Sequence, residues 1–284
     1  MVLNSFAVER IIKQALEEDW GFGDLSSSLI PESLKVRAII YAKEAGVIAG
    51  LEIAKKTFAY VDENLIFTPL LQDGENVASG QEIAYVSGSA QKILLAERVV
   101  LNFLQHMSGI ATKTAAFVKL TAGTKARIVD TRKTLPGLRI LEKYAVKAGG
   151  GHNHRFGLFD AVMIKDNHIK ALGGITKAVA EARRQNSHTV KIEVEVEDLQ
   201  QVKEALQAGP DIIMLDNMPL AMIRQAVKLI DGQAVVEASG NVTEETVASI
   251  AAAGVDIISS GALTHSVKAL DISLDLNMVK GKKQ

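Results

Sequence analysis

KIEVEVEDLQQVKEALQAGPDIIML, residues 191–215, sets two apolar, β-branched runs on either side of one helical pattern. KIEVEV (191–196) and DIIML (211–215) are too short for helices and rich in Val and Ile, the composition of strands. Between them DLQQVKEALQAG (198–209) opens on Asp and closes on Gly, the residue types that cap helix N- and C-termini. Strand, helix and strand in one short span form a crossover, so the two strands lie parallel.

The same alternation extends in both directions. Strands are expected at ARIVDT (126–131), AVMIK (161–165), AVVEAS (234–239) and DIISS (256–260). Helices are expected at LRILEKYAVKAG (138–149), GITKAVAEARRQ (174–185), PLAMIRQAVKLI (219–230) and VTEETVASIAAAG (242–254), with Asp198 and Thr243 as N-caps. Six such strands imply an α/β fold with a parallel sheet. It is either a (β/α) barrel of fewer than eight units or an open, doubly wound sheet. The N-terminal part reads differently. A helix is expected over 5–18, then the turn-rich DWGFGD (19–24), a strand and hairpin over 36–48, and a helix over 51–61. Short strands follow, with turns at Asp73-Gly74, Ser79-Gly80 and Ser87-Gly88. A long helix (94–120) is expected to break at Ser108-Gly109. This gives a small α/β domain over 1–108 and a parallel α/β domain over 109–266, with the tail 267–284 returning to the first as a strand.

Both parallel architectures bind ligands beyond the carboxyl ends of their strands. Those ends carry Thr131-Arg132-Lys133-Thr134, Lys165-Asp166-Asn167-His168, Asp216-Asn217, Ser239-Gly240-Asn241 and Ser260-Gly261. Lys165 and Asp216 directly follow apolar runs, where a charge needs a partner or a ligand. Glu193 and Glu195 share one face of their strand and call for cations, either a metal or Lys133 or Lys165. The Ser-Gly turns ahead of helix starts suit a phosphate, because glycine lets backbone N–H groups approach and the helix end adds positive charge. GGGHNHR (149–155) could carry cations over the site, but it precedes its strand and should start at the wrong end of the sheet.

Composition narrows the partners. The chain has 284 residues, 48% hydrophobic and 23% charged, with net charge −1. That balance argues against a nucleic-acid surface. No run of about 18 apolar residues is present to span a membrane. Cysteine is absent, which excludes disulfides, thiolate nucleophiles and Cys-bound metals. The acidic N-terminus is unlike a secretory signal, so a cytoplasmic location is expected. The near-neutral total hides an island: Arg127 to Lys170 holds nine Lys or Arg against four acids. A basic island in a neutral chain points to a small, strongly anionic ligand.

At these residues the chain resembles the quinolinate phosphoribosyltransferase (carboxylating nicotinate-nucleotide pyrophosphorylase) family. The stretches are EDWGFGDLSSSLI, GVIAGL, AERVVLNFLQHMSGIAT, DTRKTLPGLRILEKYAVKAGGGHNHRFGLFDAVMIKDNHI, VEVE, MLDN, VEASGNV and SSGALTHS. The resemblance implies an incomplete α/β barrel plus an N-terminal α/β sandwich. It also implies the reaction: quinolinate and phosphoribosyl pyrophosphate give nicotinate mononucleotide, pyrophosphate and CO2, with Mg2+, in NAD biosynthesis. By the same resemblance Arg132, His154, Arg155 and Lys165 hold the quinolinate carboxylates, with Thr131 beside them. Arg98 joins them from the partner subunit of a homodimer. Lys133, Glu195 and Asp216 face ribose, pyrophosphate and Mg2+ as the catalytic group, Glu195 and Asp216 serving the metal. Ser239, Gly240, Asn241, Ser260, Gly261 and Ala262 take the 5′-phosphate.

Three other readings compete. A sister enzyme acting on nicotinate without decarboxylation would need fewer cations. An aldolase-like barrel would use Lys165 as a Schiff-base nucleophile. A lipoyl-like carrier is suggested by DGENVASGQ, but it would need a modifiable Lys at the hairpin tip, and Lys92 is the first Lys after it.

Overall fold

The computed structural model describes residues 5–277. In chain order its elements are α1 (Ser5–Trp20), β1 (Lys35–Ala42), β2 (Gly46–Val47), α2 (Leu51–Val61), β3 (Ile66–Pro69), β4 (Asn76–Val77), β5 (Glu82–Ser89), α3 (Ala90–Leu120), β6 (Arg127–Val129) and α4 (Arg139–Ala148). Then come β7 (Val162–Ile164), α5 (Asp166–Leu172), α6 (Ile175–Gln185), β8 (Ile192–Val196), α7 (Leu199–Ala208), β9 (Ile212–Asp216), α8 (Leu220–Ile230), β10 (Val235–Ser239), α9 (Glu244–Ala252), β11 (Ile257–Ser259), α10 (Ala262–His265) and β12 (Ile272–Asn277). No helix among the described residues is long and apolar enough to cross a membrane.

The chain forms two compact units. The first runs through Ala115 and takes in Leu135–Gly150 and the segment from Val267. Its antiparallel sheet has the order β12-β1-β5-β3. Val36, Ala38, Ile40 and Ala42 of β1 alternate into a core with Phe58 of α2, Ile83 and Val86 of β5, and Leu104 of α3. The hairpin expected over 36–48 does not form. Both edges of β1 are taken, by β12 and β5, and β2 pairs with β4 instead.

The expected break at Ser108-Gly109 is also absent, because α3 continues through it. Both residues answer to neighbours rather than to a turn. The Ser108 hydroxyl accepts the Ala49 N–H at 3.0 Å. Gly109 lies against the backbone of the C-terminal segment, where a Cβ would come within 2.3 Å of the Lys268 carbonyl oxygen. The division into units therefore falls inside this helix, past Ala115, and α4 falls with the first unit.

The second unit, Ala116–Thr134 with Gly151–Ser266, carries the six-stranded sheet β6-β11-β10-β9-β8-β7. Every pairing in it is parallel. From β7 to β11 each strand lies beside its predecessor in the chain, so the order never reverses. Right-handed crossovers then place the helices on one face, as in a barrel and not in a doubly wound sheet. The first strand, β6, lies beside the last, β11, which is the seam a barrel closes. Among the described residues β6 and β7 do not pair, so the barrel is incomplete. The caps follow the expectation from sequence: Asp198 accepts the Gln201 N–H at 2.8 Å, Thr243 and Thr246 form a capping box, and Gly209 ends α7 in the left-handed region.

Gly109→Ala gains about 1 kcal/mol of helix propensity, yet it drives a methyl group into a carbonyl. The variant is expected to be less stable by about 1–3 kcal/mol in a denaturant melt; an unchanged midpoint would show that the C-terminal segment does not pack there.

Candidate active site

The carboxyl ends of the parallel strands surround a cavity of about 640 Å3. Alternate residues of a strand share a face, and this cavity is lined by Met163, Glu195, Met214, Asp216, Ser239 and Ser259 from five successive strands. The loop after β6 adds Thr131, Arg132 and Lys133. Lys133 is held by its backbone: its N–H donates to Thr131 Oγ1 at 3.0 Å, and its carbonyl accepts the Thr264 hydroxyl at 2.7 Å.

The GGGHNHR loop reaches the site by behaving as one more strand. His152 bridges in parallel to Val129, donating its N–H to Ile128 O (2.8 Å) and accepting the Asp130 N–H (3.2 Å). A parallel bridge moves the chain toward the carboxyl end of β6, which brings His154 and Arg155 to the cavity. Asp130, fully buried, secures the arrival: its carboxylate accepts the His154 N–H at 2.9 Å and the Asn153 side-chain amide at 2.6 Å.

Cations crowd one wall. Burial and, next to it, the neighbouring Arg132 guanidinium hold the Arg155 pKa below its ordinary value, with Glu193 and Asp160 opposing. Two guanidinium groups that repel each other inside one cavity favour an anionic ligand between them. Arg155 is aimed by a hydrogen bond from Nη1 to Ala161 O at 3.1 Å. Lys165 is ion-paired with Glu195, which meets the need of that strand acid for a cation. Lys165 also caps α5, a helix not read from the sequence: its N–H donates to His168 Nδ1 at 2.9 Å, so His168 serves the helix start.

The Ser-Gly turns, Ser239-Gly240-Asn241 and Ser260-Gly261-Ala262, line the same cavity, with the Lys133 side chain against Gly261. Gly240 has φ +88°, and a Cβ there would come within 2.1 Å of Asn217 Oδ1, so only glycine fits. Asn217 and Asn241 both have positive φ and are joined by a 3.1 Å hydrogen bond from Asn241 Nδ2 to Asn217 Oδ1. Asp216 accepts Asn217 Nδ2 at 2.9 Å.

Behind the cavity lies a buried acid pair. Glu193 is 2% exposed and Glu237 1%. His154 Nε2 is 3.2 Å from Glu193 Oε2 and 3.5 Å from Glu237 Oε1. Burial, and then the charge of Glu193, push the Glu237 pKa up to about 7, against the pull of His154 and Ser259. Among the described residues, His154, Glu193 and Glu237 are the one group of three or more such donors close enough to hold an ion. Neither Glu195 nor Asp216 belongs to such a group of three.

All the site residues that the family resemblance assigned line the cavity except Arg98, which is exposed on α3 in the first unit; Thr134, Asp166, Asn167, His168 and Glu193 are not among its lining. The sequence reading passed over Glu237 and His265. Glu237 left a signal, an acid in the middle of the apolar run AVVEAS. Asn217, named only as the end of its strand, has a left-handed backbone and packs its side chain against Gly240.

A parallel α/β mouth that joins several cations to Ser-Gly turns defines an enzyme site for a polyanion that carries a phosphate. More specifically, the chain belongs to the quinolinate phosphoribosyltransferase family: residues 24–108 match its N-terminal domain and residues 110–275 its C-terminal domain. A probable carboxylating nicotinate-nucleotide pyrophosphorylase of Bacillus subtilis is 46% identical over 97% of this chain and 96% of its own. The chloroplastic carboxylating nicotinate-nucleotide pyrophosphorylase of Arabidopsis thaliana is 48% identical over 96% of this chain and 84% of its own. The crystal structure of NadC from Streptococcus pyogenes superposes with TM-score 0.95 at 44% identity, covering 99% of this chain and 100% of that one.

Because its pKa is raised in the fold, Glu237 stabilises the protein in its neutral form. That contribution is complete below the ordinary carboxylate pKa and is lost as pH rises through about 7. Glu237→Gln stays neutral throughout, so its melting temperature should rise relative to wild type between about pH 5 and about pH 8. A constant difference across that range would remove Glu237 as the titrating group.

Proposed function

We propose that this chain transfers the phosphoribosyl group of phosphoribosyl pyrophosphate to the ring nitrogen of quinolinate and releases CO2, giving nicotinate mononucleotide and pyrophosphate. The observation that carries this reading is one cavity that brings a crowd of cations together with two Ser-Gly turns. A dicarboxylate suits the first and a 5′-phosphate the second.

Arg132, Arg155 and Lys165 clamp the two carboxylates, guanidinium forks matching them two bonds at a time. Fixed cations let two polyanions approach each other where water would separate them. As the bond from C1′ to pyrophosphate breaks, positive charge grows on the ribose, and Glu195 and Asp216 face it as stabilising carboxylates. The ring nitrogen then forms its bond to C1′ and becomes cationic. That charge stabilises the electron pair left on the adjacent carbon when its carboxylate departs as CO2, and a solvent proton replaces it. The protein's part in this second step is positioning and desolvation.

Mg2+ fits the donor set in the manner usual for that ion, one or two carboxylates with the remaining oxygens from water and substrate phosphates. Glu195 and Asp216 would hold it, and the ion would neutralise the departing pyrophosphate. The exposed Arg98 completes the carboxylate clamp from the partner subunit of a homodimer. The expected location is the cytoplasm.

The nicotinate-specific alternative is separated by one assay: purified protein, Mg2+ and phosphoribosyl pyrophosphate with carboxyl-labelled quinolinate or with nicotinate. Labelled CO2 from quinolinate and no turnover of nicotinate is the expected result, and turnover of nicotinate alone would overturn the substrate. In the same assay Arg132→Ala should weaken quinolinate binding by about 2 kcal/mol, on the order of 30-fold in Kd. Unchanged affinity would remove Arg132 from the clamp. The shared site has its own check. Arg98→Ala and Lys133→Ala, each inactive alone, should regain about a quarter of wild-type activity when mixed and re-equilibrated, since half the dimers then hold one intact site. No recovery would place Arg98 within its own subunit or outside the site.

A further inference from the structure

The ends of β9 and β10 meet at the cavity through one side chain that the chemistry above does not use. Asp216 and Ser239 are register partners, and the Asn217 N–H donates to Ser239 O at 2.9 Å. The Asn217 side chain joins the two ends a second time. A carboxylate only accepts, so it is the Asn217 amide nitrogen that donates to Asp216 Oδ2, at 2.9 Å. That leaves Asn217 Oδ1 as the acceptor for Asn241 Nδ2, at 3.1 Å. The link from Asn241 through Asn217 to Asp216 can therefore be made in one sense only. The backbone is bent to permit it. Asn217 has φ +52° and Asn241 φ +51°, a region that costs energy for any residue but glycine. Gly240 has no Cβ where one would meet Asn217 Oδ1. Both asparagines are exposed, so water could satisfy their amides without any of this.

We infer that Asn217 is a positioning residue for phosphoribosyl pyrophosphate: its amide ties the Asp216 carboxylate to the 239–241 turn, so that the group facing the ribose and the turn holding the 5′-phosphate keep a fixed separation. A ligand that spans two subsites gains most when those subsites are already set at its own length, because nothing then has to be ordered on binding. Asn217 acts through Asp216 and Asn241, its carbonyl oxygen and one amide N–H being committed to them. The inference rests on Asp216 and the 239–241 turn being the two ends of the phosphoribosyl subsite.

The test is calorimetric binding to the full chain, with phosphoribosyl pyrophosphate and Mg2+ in one titration and quinolinate in another, so that no turnover occurs. It compares Asn217→Gly, Asn241→Gly, the double variant and Asp216→Ala with wild type. Glycine accepts positive φ, so these two substitutions remove the side-chain link and keep the backbone. Asn217→Gly should raise the Kd of phosphoribosyl pyrophosphate about tenfold and leave that of quinolinate within about twofold. Because the two asparagines act as one link, the double variant should bind within about twofold of the weaker single variant. An unchanged Kd for phosphoribosyl pyrophosphate, an equal loss for both ligands, or single effects that multiply in the double variant would each overturn the inference; the last would make Asn217 an independent ligand. Asp216→Ala separates the two levels. If it binds phosphoribosyl pyrophosphate as wild type does, the reading of the subsite fails and the inference with it, whereas an impaired Asp216→Ala beside a normal Asn217→Gly sinks only the link.

Discussion

All six strands of the larger sheet run one way, and that constraint organises the second unit. Parallel strands cannot be joined by tight turns, so each is followed by a crossover that returns the chain to the same starting end. Each strand therefore delivers its last residues to the same mouth. Arg132, Lys165, Asp216, Ser239 and Ser260 become neighbours although the chain separates them widely. Since every pairing is parallel and the order advances without reversal, there is one such mouth.

The loop carrying His154 and Arg155 is governed by the same rule. It comes before its strand, so by direction alone it belongs at the opposite end. The bridge of His152 to Val129 gives it a short parallel run of its own beside β6, and the buried Asp130 carboxylate fixes where that run stops. Among the described residues β6 pairs with one strand only, β11, and the His152 bridge adds to it.

The interior of this barrel is also unusual in its polarity. A layer below the cavity holds two glutamates where apolar side chains normally fill the space. Their cost is offset only in part, by one histidine and nearby guanidinium charge.

Much of the fold is legible in residue order because it rests on short-range physics. Period-2 and period-3.6 hydrophobicity marked the strands and the main helices, and Asp198, Thr243 and Gly209 marked ends that local hydrogen bonding produces. The strand-end rule then gathered the cavity residues from the sequence, since it depends only on chain direction. What stayed hidden depends on partners distant in the chain. Ser108-Gly109 reads as a helix break, yet it is a close-packing site, because the Lys268 backbone lies against it. The segment 36–48 reads as a hairpin, but β12 and β5 occupy both edges of β1. Lys165-Asp166-Asn167-His168 reads as a ligand loop, while His168 in fact caps a short helix. The surroundings of the His154 ring lie furthest from the sequence: an amide next to it in the chain meets one ring nitrogen, and two strands bring carboxylates near the other. Sequence alone determined the parallel α/β class, the end of the sheet that binds and the cationic character of the ligand wall. Only tertiary structure decided which of those polar groups face the ligand and which hold one another in place, because burial and hydrogen-bond partners are set by packing rather than by order along the chain.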